Sequence, residues 1–282
     1  MRFTYAEAMT RLELYAPLAQ AAEAAGYTSM TVADSLIYPE VSDSTYPYTD
    51  TGDREFLAGK DFVETMVMCA HLFALTSTLR LTPFVLKLPV RPPVLVAKQA
   101  SSLAALSGDR LGLGVGLSPW PEDFTALGVP WERRGKRMDE CLDIVRGLTS
   151  GEFFSYEGEF FSIESMQQRP APGRPVPLLV GGHADAALRR AVRKGDGWMH
   201  AGGDKAELSS YLDRLGALRR EAGREKEPFE VHVISMDAYT PDGVKRLEDL
   251  GVTDAIVGFR NAYVPDTQTL EHKIAALENF AD

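Results

Sequence analysis

Glu7, Asp34 and Ser35 are the candidate catalytic residues, polar side chains that two strand ends would present at one face. Glu7 closes a short extended segment, Arg2 to Ala6, and Asp34 and Ser35 close another that begins at Ser29. A carboxylate at a strand end, partly withdrawn from water, has a pKa raised toward the range useful for proton shuttling. Asp34 is also placed to orient a bound ring or a substrate hydroxyl. The competing readings are a polar strand end that satisfies backbone N–H groups for Asp34, and an acid beside a helix start for Glu7. Glycines form a second set. Gly112, Gly114 and Gly116 alternate along Arg110 to Ser118, so three side chains are missing from one face. That face has room for a flat ligand, with Gly116 and Ser118 the residues to touch it, or for a neighbouring core residue; Ser118 and Trp120 lie just beyond it at the rim. Gly181, Gly182 and His183 precede a helical segment, and backbone N–H groups at a helix start after a Gly-Gly turn form an anion site. Asp185, in the first turn of that helix, competes for the same positive end.

These residues need a scaffold that brings strand ends together. Apolar segments at Arg2–Ala6, Ser29–Asp34, Leu79–Pro89, Arg110–Ser118, Pro177–Gly181, Gly197–Ala201, Phe229–Ser235 and Asp254–Phe259 read as strands. Helical patterns separate them: one from near Tyr15 to Gly26, then Asp61–Leu75, Pro92 to Gly108, Arg134–Thr149, Ala184–Lys194, Lys205–Ala222, Asp242–Leu250 and Gln268–Asn279. Eight βα units in order, over 282 residues with no break in composition, predict one (β/α)₈ TIM barrel spanning 1–282. A doubly wound sheet would carry phosphate-binding glycines after its first strand, and TYAEAMTR has none. Two departures stand out. Ser35 to Lys60 is a long loop after the second strand, read as a lid with Tyr38, Tyr46 and Tyr48. Gly151 to Pro175 is an insertion between the fourth helix and the fifth strand, opening with a small hairpin.

Thirty basic against forty acidic residues give a net charge of −10, which argues against nucleic acid as a partner. No apolar run reaches the ~18 residues of a membrane span. Cys69 and Cys141 lack any paired spacing and the N-terminal MRFTYAEAM lacks a leader pattern, so a reducing, cytoplasmic setting is expected. His71, His183, His200, His232 and His272 include no HxH pair, which disfavours a metal-dependent barrel hydrolase, and no metal site is expected.

The segments AAEAAGYTSMTVADS, LRLTPFVLKLPVRPPVLVAKQASSLAALSGDRLGLGVG, WERRGKRMDECLDIVRGL, GEFFSYEGEFFSI and PAPGRPVPLLVGGHADAALRRAVRKGDGW together resemble the bacterial luciferase-like family of flavin and deazaflavin oxidoreductases. The resemblance spans nearly the whole chain and is nearer the branch that uses coenzyme F420, an 8-hydroxy-5-deazaflavin. It implies a bulge in the third strand, with a non-prolyl cis peptide between Phe84 and Val85 whose backbone supports the face of the ring. It implies that the Gly181–Gly182–His183 turn takes the cofactor's phosphate. It also implies a catalytic role for Glu7, which matches the position of a glutamate in some deazaflavin dehydrogenases. Relatives often have Asp-His at the second strand end; Ser35 replaces that histidine and removes the most obvious acid/base. Lys87, Arg91, Arg169 and Arg174 are candidates to meet a polyglutamate tail. The expected activity is hydride transfer between coenzyme F420 and a small organic substrate, with a homodimer by analogy to relatives. An FMN-dependent two-component monooxygenase and a cofactor-binding barrel without turnover are the alternatives, and fold alone does not name the substrate.

Overall fold

The computed structural model describes residues 1–46, 49 and 52–281; Tyr48 of the expected lid lies outside them. Nine parallel strands form one curved sheet. In chain order they are β1 (Arg2–Tyr5), β2 (Ser29–Val32), β3 (Arg80–Pro83), β4 (Leu86–Lys87), β5 (Leu113–Gly116), then β8 (Leu178–Gly181), β9 (Gly197–His200), β10 (Glu230–Ile234) and β11 (Asp254–Val257). The two remaining strands, β6 (Phe154–Glu157) and β7 (Ser162–Met166), pair antiparallel as the expected hairpin. Around the sheet the order is β3-β2-β1-β11-β10-β9-β8-β5-β4. A parallel bridge between Leu81 and Leu111, with Leu81 N–H donating to Arg110 and Gly112 N–H to Leu81, closes the ring.

The expected third strand is not continuous. Its first half, β3, pairs with β2, and its second half, β4, pairs with β5. The chain steps between them at Phe84–Val85, where the peptide bond is cis. Counting β3 and β4 as one position, eight strand positions ring the barrel, and β5 stands diametrically opposite β11. The expected (β/α)₈ barrel is therefore the fold.

The outer layer is made of α1 (Tyr15–Ala24), α2 (Thr65–Leu75), α3 (Pro93–Ser107), α5 (Arg134–Thr149), α6 (Asp185–Lys194), α7 (Lys205–Glu221), α8 (Pro241–Asp249) and α9 (Leu270–Ala281). α2 begins at Thr65, not Asp61, because the Glu64 carboxylate caps it by accepting from the N–H groups of Met66 and Val67. α3 starts with Pro93 at its first position and stops at Gly108, whose φ of 68° is left-handed. A short helix, α4 (Pro121–Ala126), fills the loop after β5 where none was expected. Among the described residues no helix is long and apolar enough to cross a membrane.

The interior of the ring is graded. At the end where the strands begin, Arg2 and Arg80 pair with Asp254 and Glu230, beside a cavity of about 300 Å³. At the end where the strands stop, Leu179, Met199 and Ile256 form a buried apolar floor. Ala6, Phe84, Val85 and Ile234 lie half-buried above it.

Candidate functional site

The strand tips build an apolar shelf. Val85, just past the step in the third strand, lies over β5 and β8 in the space two glycines leave. A Cβ on Gly116 would stand 2.6 Å from Val85 Cγ2, and one on Gly181 would stand 3.0 Å from Val85 Cγ1. Gly112 and Gly114 make room for neighbouring residues, one of the two uses expected of that face, and not for a ring. A Cβ on Gly112 would strike the Arg80 guanidinium, and one on Gly114 would lie 2.0 Å from the Pro83 carbonyl oxygen.

Two of the three candidate catalytic residues are held as anchors. The Asp34 side chain is 1% exposed and pairs with Arg91 through two bonds of 2.8 and 2.9 Å. It also accepts from Thr65 Oγ1 and from the Lys87 N–H, each at 2.8 Å. Both oxygens are fully engaged, so Asp34 ties the β4 end of the step to β2 and is not free to orient a ligand. Glu7 is buried and accepts from Arg260 Nε and Lys273 Nζ, each at 2.8 Å, and from the Tyr5 hydroxyl at 2.9 Å. Asp266 shares Lys273 at 3.0 Å. Burial alone would push the Asp266 carboxyl up, but bonds from Thr10, Lys273 and the Gln268 N–H bring it down to about 2. Glu7 thus belongs to a closed ionic cluster that fastens the β1 end to the last βα loop. Ser35 follows Asp34 at the rim and is half-buried.

The turn from β8 into α6 has the features of an anion seat. Gly182 has a φ of 119°, and a Cβ there would lie 3.0 Å from that of Ala187. The Trp198 indole N–H donates to the Gly182 carbonyl at 2.8 Å. Since a trans peptide sets C=O and N–H on opposite sides, the His183 N–H turns away from Trp198. Ala184 caps α6 without a side-chain bond. Asp185 does not compete after all, because its carboxylate is drawn outward to Arg189 at 2.6 Å and Arg214 at 2.7 Å. His183, His200 and Tyr211 form a triangle of rings, with His183 4.6 Å from His200 and 4.9 Å from Tyr211, and the His183 Nε2 accepts from the Ala201 N–H. Burial lowers the His183 pKa, and burial together with His183 lowers that of His200 to about 4. Both rings are neutral at pH 7.

Above the shelf, side chains from three loops meet. Tyr46 stacks on Trp120 at 5.4 Å and contacts Phe56 at 5.2 Å, and Phe56 meets Tyr263 edge-on at 4.9 Å. The Arg54 guanidinium lies over Trp120 at 4.3 Å. Glu122 accepts from Ser42, Ser44 and Arg54 and so holds the loop after β2 onto α4. Ser118, expected to touch a cofactor, donates instead to Asp123 at 2.5 Å, and Asp123 pairs with Lys87 at 2.7 Å. Lys87 and Arg91 are buried in these pairs and are not available to a polyglutamate tail, whereas Arg169 and Arg174 are exposed. Sequence reading missed Phe56, Tyr263, Asp123, Tyr211 and the bond made by Trp198. Tyr46 and Trp120 were visible as aromatic loop residues, but nothing in their spacing shows that they meet.

At the opposite end, Glu230, His232 and Asp254 bring three metal-type ligand atoms within 4.8 Å of one another. Arg2 and Arg80 already occupy both carboxylates there, and that end of a barrel generally serves stability.

The sequence of residues 4–270 matches the family described as luciferase-like monooxygenase. The chain belongs to that family. Over all of its length and 98% of the relative's, it is 62% identical to an uncharacterized protein of Mycobacterium tuberculosis. It is 28% identical to an F420-dependent glucose-6-phosphate dehydrogenase of Beutenbergia cavernae, covering 80% of this chain and 64% of that protein. Among solved structures, a monooxygenase from Streptomyces bottropensis superposes with a TM-score of 0.78 at 17% identity, covering 100% of this chain and 98% of its own. This luciferase-like barrel is thus shared by deazaflavin-dependent and monooxygenase proteins, and its family is one of oxidoreductases.

Proposed function

We propose that this luciferase-like protein is an oxidoreductase that binds coenzyme F420 across its strand tips and exchanges a hydride with a small organic substrate. One observation carries the reading: Gly181 is both part of the apolar shelf, where any side chain would run into Val85, and the first residue of the Gly181–Gly182–His183 turn. A seat for a flat ring and a seat for a phosphate therefore adjoin, as a ring joined to a phosphate-bearing tail requires. The residues fit that group. Phe84 and Val85 would support the ring face, with Gly116 and Gly181 keeping the shelf flat. The N–H groups of the turn and of the uncapped α6 start would face the phosphate.

The cofactor supplies the hydride chemistry, and the protein's share is placement and water exclusion. Asp34 and Arg91 hold the Phe84–Val85 segment in position through the Lys87 N–H. Trp198 fixes the peptide plane of the turn. The aromatic roof excludes water from the shelf. Ser35, at the rim where relatives often carry histidine, offers a hydroxyl to orient a substrate oxygen but no group that titrates near neutrality. FMN is the second reading, since the family model is that of luciferase-like monooxygenases. The test is turnover of oxidised coenzyme F420 with a panel of alcohols and sugar phosphates, read as loss of its visible absorbance, and of the reduced coenzyme with enones, read as the return of that absorbance. Hydride exchange with at least one partner supports the proposal. Cofactor binding with no exchange across the panel favours a binding protein.

A further inference from the structure

The roof over the shelf, read together with the charges around it, bears on what the site accepts. Trp120 belongs to the loop after β5 and Tyr263 to the loop after β11, on diametrically opposite sides of the ring. Tyr46 and Phe56, from the loop after β2, bridge them. Rings attached to opposed strands can meet only above the mouth, so these four close it from above while Phe84, Val85 and Ile234 line it from below. Both faces of the chamber are apolar.

The buried charges at its edge are already committed. Asp34 is paired with Arg91, Asp123 with Lys87, and Glu7 with Lys273 and Arg260. Arg54 is laid flat on Trp120 and donates to Glu122. Each buried base in this group is paired: Lys273 and Arg260 share Glu7 and Asp266, and Arg91 also reaches Glu64. An anionic substrate group brought under the roof would lose its water without gaining a cation, unless it broke one of these pairs. Either course is costly. A flat, uncharged molecule would instead exchange water for aromatic faces.

Resting on the cofactor reading above, we infer that the chamber selects an uncharged, flat, apolar substrate and rejects phosphorylated sugars, with the four-ring roof, held in place by the buried Trp120, as the selecting surface. The juxtaposition behind this is a four-ring aromatic roof facing an apolar shelf, inside a rim of charges that are all paired.

The experiment is calorimetric titration of the protein, with and without oxidised coenzyme F420, using menadione as the neutral flat probe and glucose 6-phosphate as the anionic one. Oxidised cofactor cannot reduce menadione, so that titration reads binding alone, and any heat or bleaching from oxidation of glucose 6-phosphate counts as acceptance of the anion. Menadione is expected to bind and glucose 6-phosphate to show no heat of binding at the same concentration. Trp120→Ala, which removes the ring that Tyr46 stacks on, is expected to weaken menadione roughly three- to tenfold, the scale of one aromatic contact, and to leave glucose 6-phosphate unbound. Trp120→Phe is expected to restore most of the loss, which separates the ring's contribution from misfolding. Equal or tighter binding of glucose 6-phosphate overturns the inference, as does menadione binding that ignores Trp120→Ala, or no menadione binding to a protein that does bind the cofactor. Failure of coenzyme F420 to bind defeats the cofactor reading instead, and probe preference in the unloaded protein still decides the inference.

Discussion

Asparagine at position 34 keeps the outline of aspartate and removes its charge. The native carboxylate is 1% exposed and receives four bonds, two from Arg91 and one each from Thr65 and the Lys87 N–H. In Asp34→Asn one oxygen becomes an NH₂ group, which must face one of those donors. The Arg91 guanidinium, 10% exposed, keeps only Glu64 at 3.5 Å as a counter-ion. Breaking a buried pair on one side costs about 3–5 kcal/mol, and the half-exposed Glu64 recovers a small part of that. Urea unfolding is the assay: the midpoint should fall by an amount equivalent to about 3 kcal/mol with the slope unchanged. Adding Arg91→Gln should return at least about 1 kcal/mol, because the uncompensated cation is gone and the two sites are coupled. A loss under about 1 kcal/mol for Asp34→Asn, or strict additivity in the double variant, would refute the anchoring role. Asp34 would then be free for the ligand-orienting role its position first suggested.

Gly116→Ala places a Cβ 2.6 Å from Val85 Cγ2, so Val85 must shift; overpacking of this kind costs about 1–3 kcal/mol. Cofactor affinity should drop at least tenfold by equilibrium titration, and Val85→Ala in the same chain should recover much of it by vacating the contested space. His200 is the pH-sensitive group. Its pKa is lowered from the ordinary 6.5 to about 4, so between those values the unfolded chain binds the extra proton. Stability should be full above pH 6.5 and decline as pH falls toward 4, by on the order of 2 kcal/mol, with the decline flattened in His200→Phe. Glu230 and Asp266, held near 2 against burial by bonds from His232 and Thr10, add their own loss only below about pH 4.5. A urea midpoint that stays level between pH 6.5 and 4.5 would contradict the buried, neutral assignment of His200.

Order and type of elements were legible from period and punctuation: Pro93 and Gly108 bracket α3, and Gly197 to His200 is a strand as expected. The break in the third strand was not derivable from its apolar pattern, since Leu79 to Pro89 reads as one continuous buried run. Only the family resemblance placed a discontinuity at Phe84–Val85, where the chain changes partner from β2 to β5. The site residues divided along a similar line. Gly116 and Gly181 were singled out for missing side chains, and that property does explain their contact with Val85. Glu7 and Asp34 were singled out as acids at strand ends, but the bases that saturate them are far away in the chain. Lys273 lies 266 residues from Glu7, and Arg91 lies 57 from Asp34. A local reading registers an acid's position but not whether its charge is already spent. Asp185 is the converse case, since its apparent competition for the helix start disappears once Arg214 arrives from α7.

The central claim is that the strand tips seat a phosphate-tailed tricyclic cofactor, and direct titration of the purified chain with coenzyme F420 and, separately, with FMN tests it most simply. Saturable binding of coenzyme F420, tighter than FMN and lost in Gly116→Ala, is the predicted result. Preference for FMN would move the protein to the monooxygenase reading, and refusal of both would contradict the account.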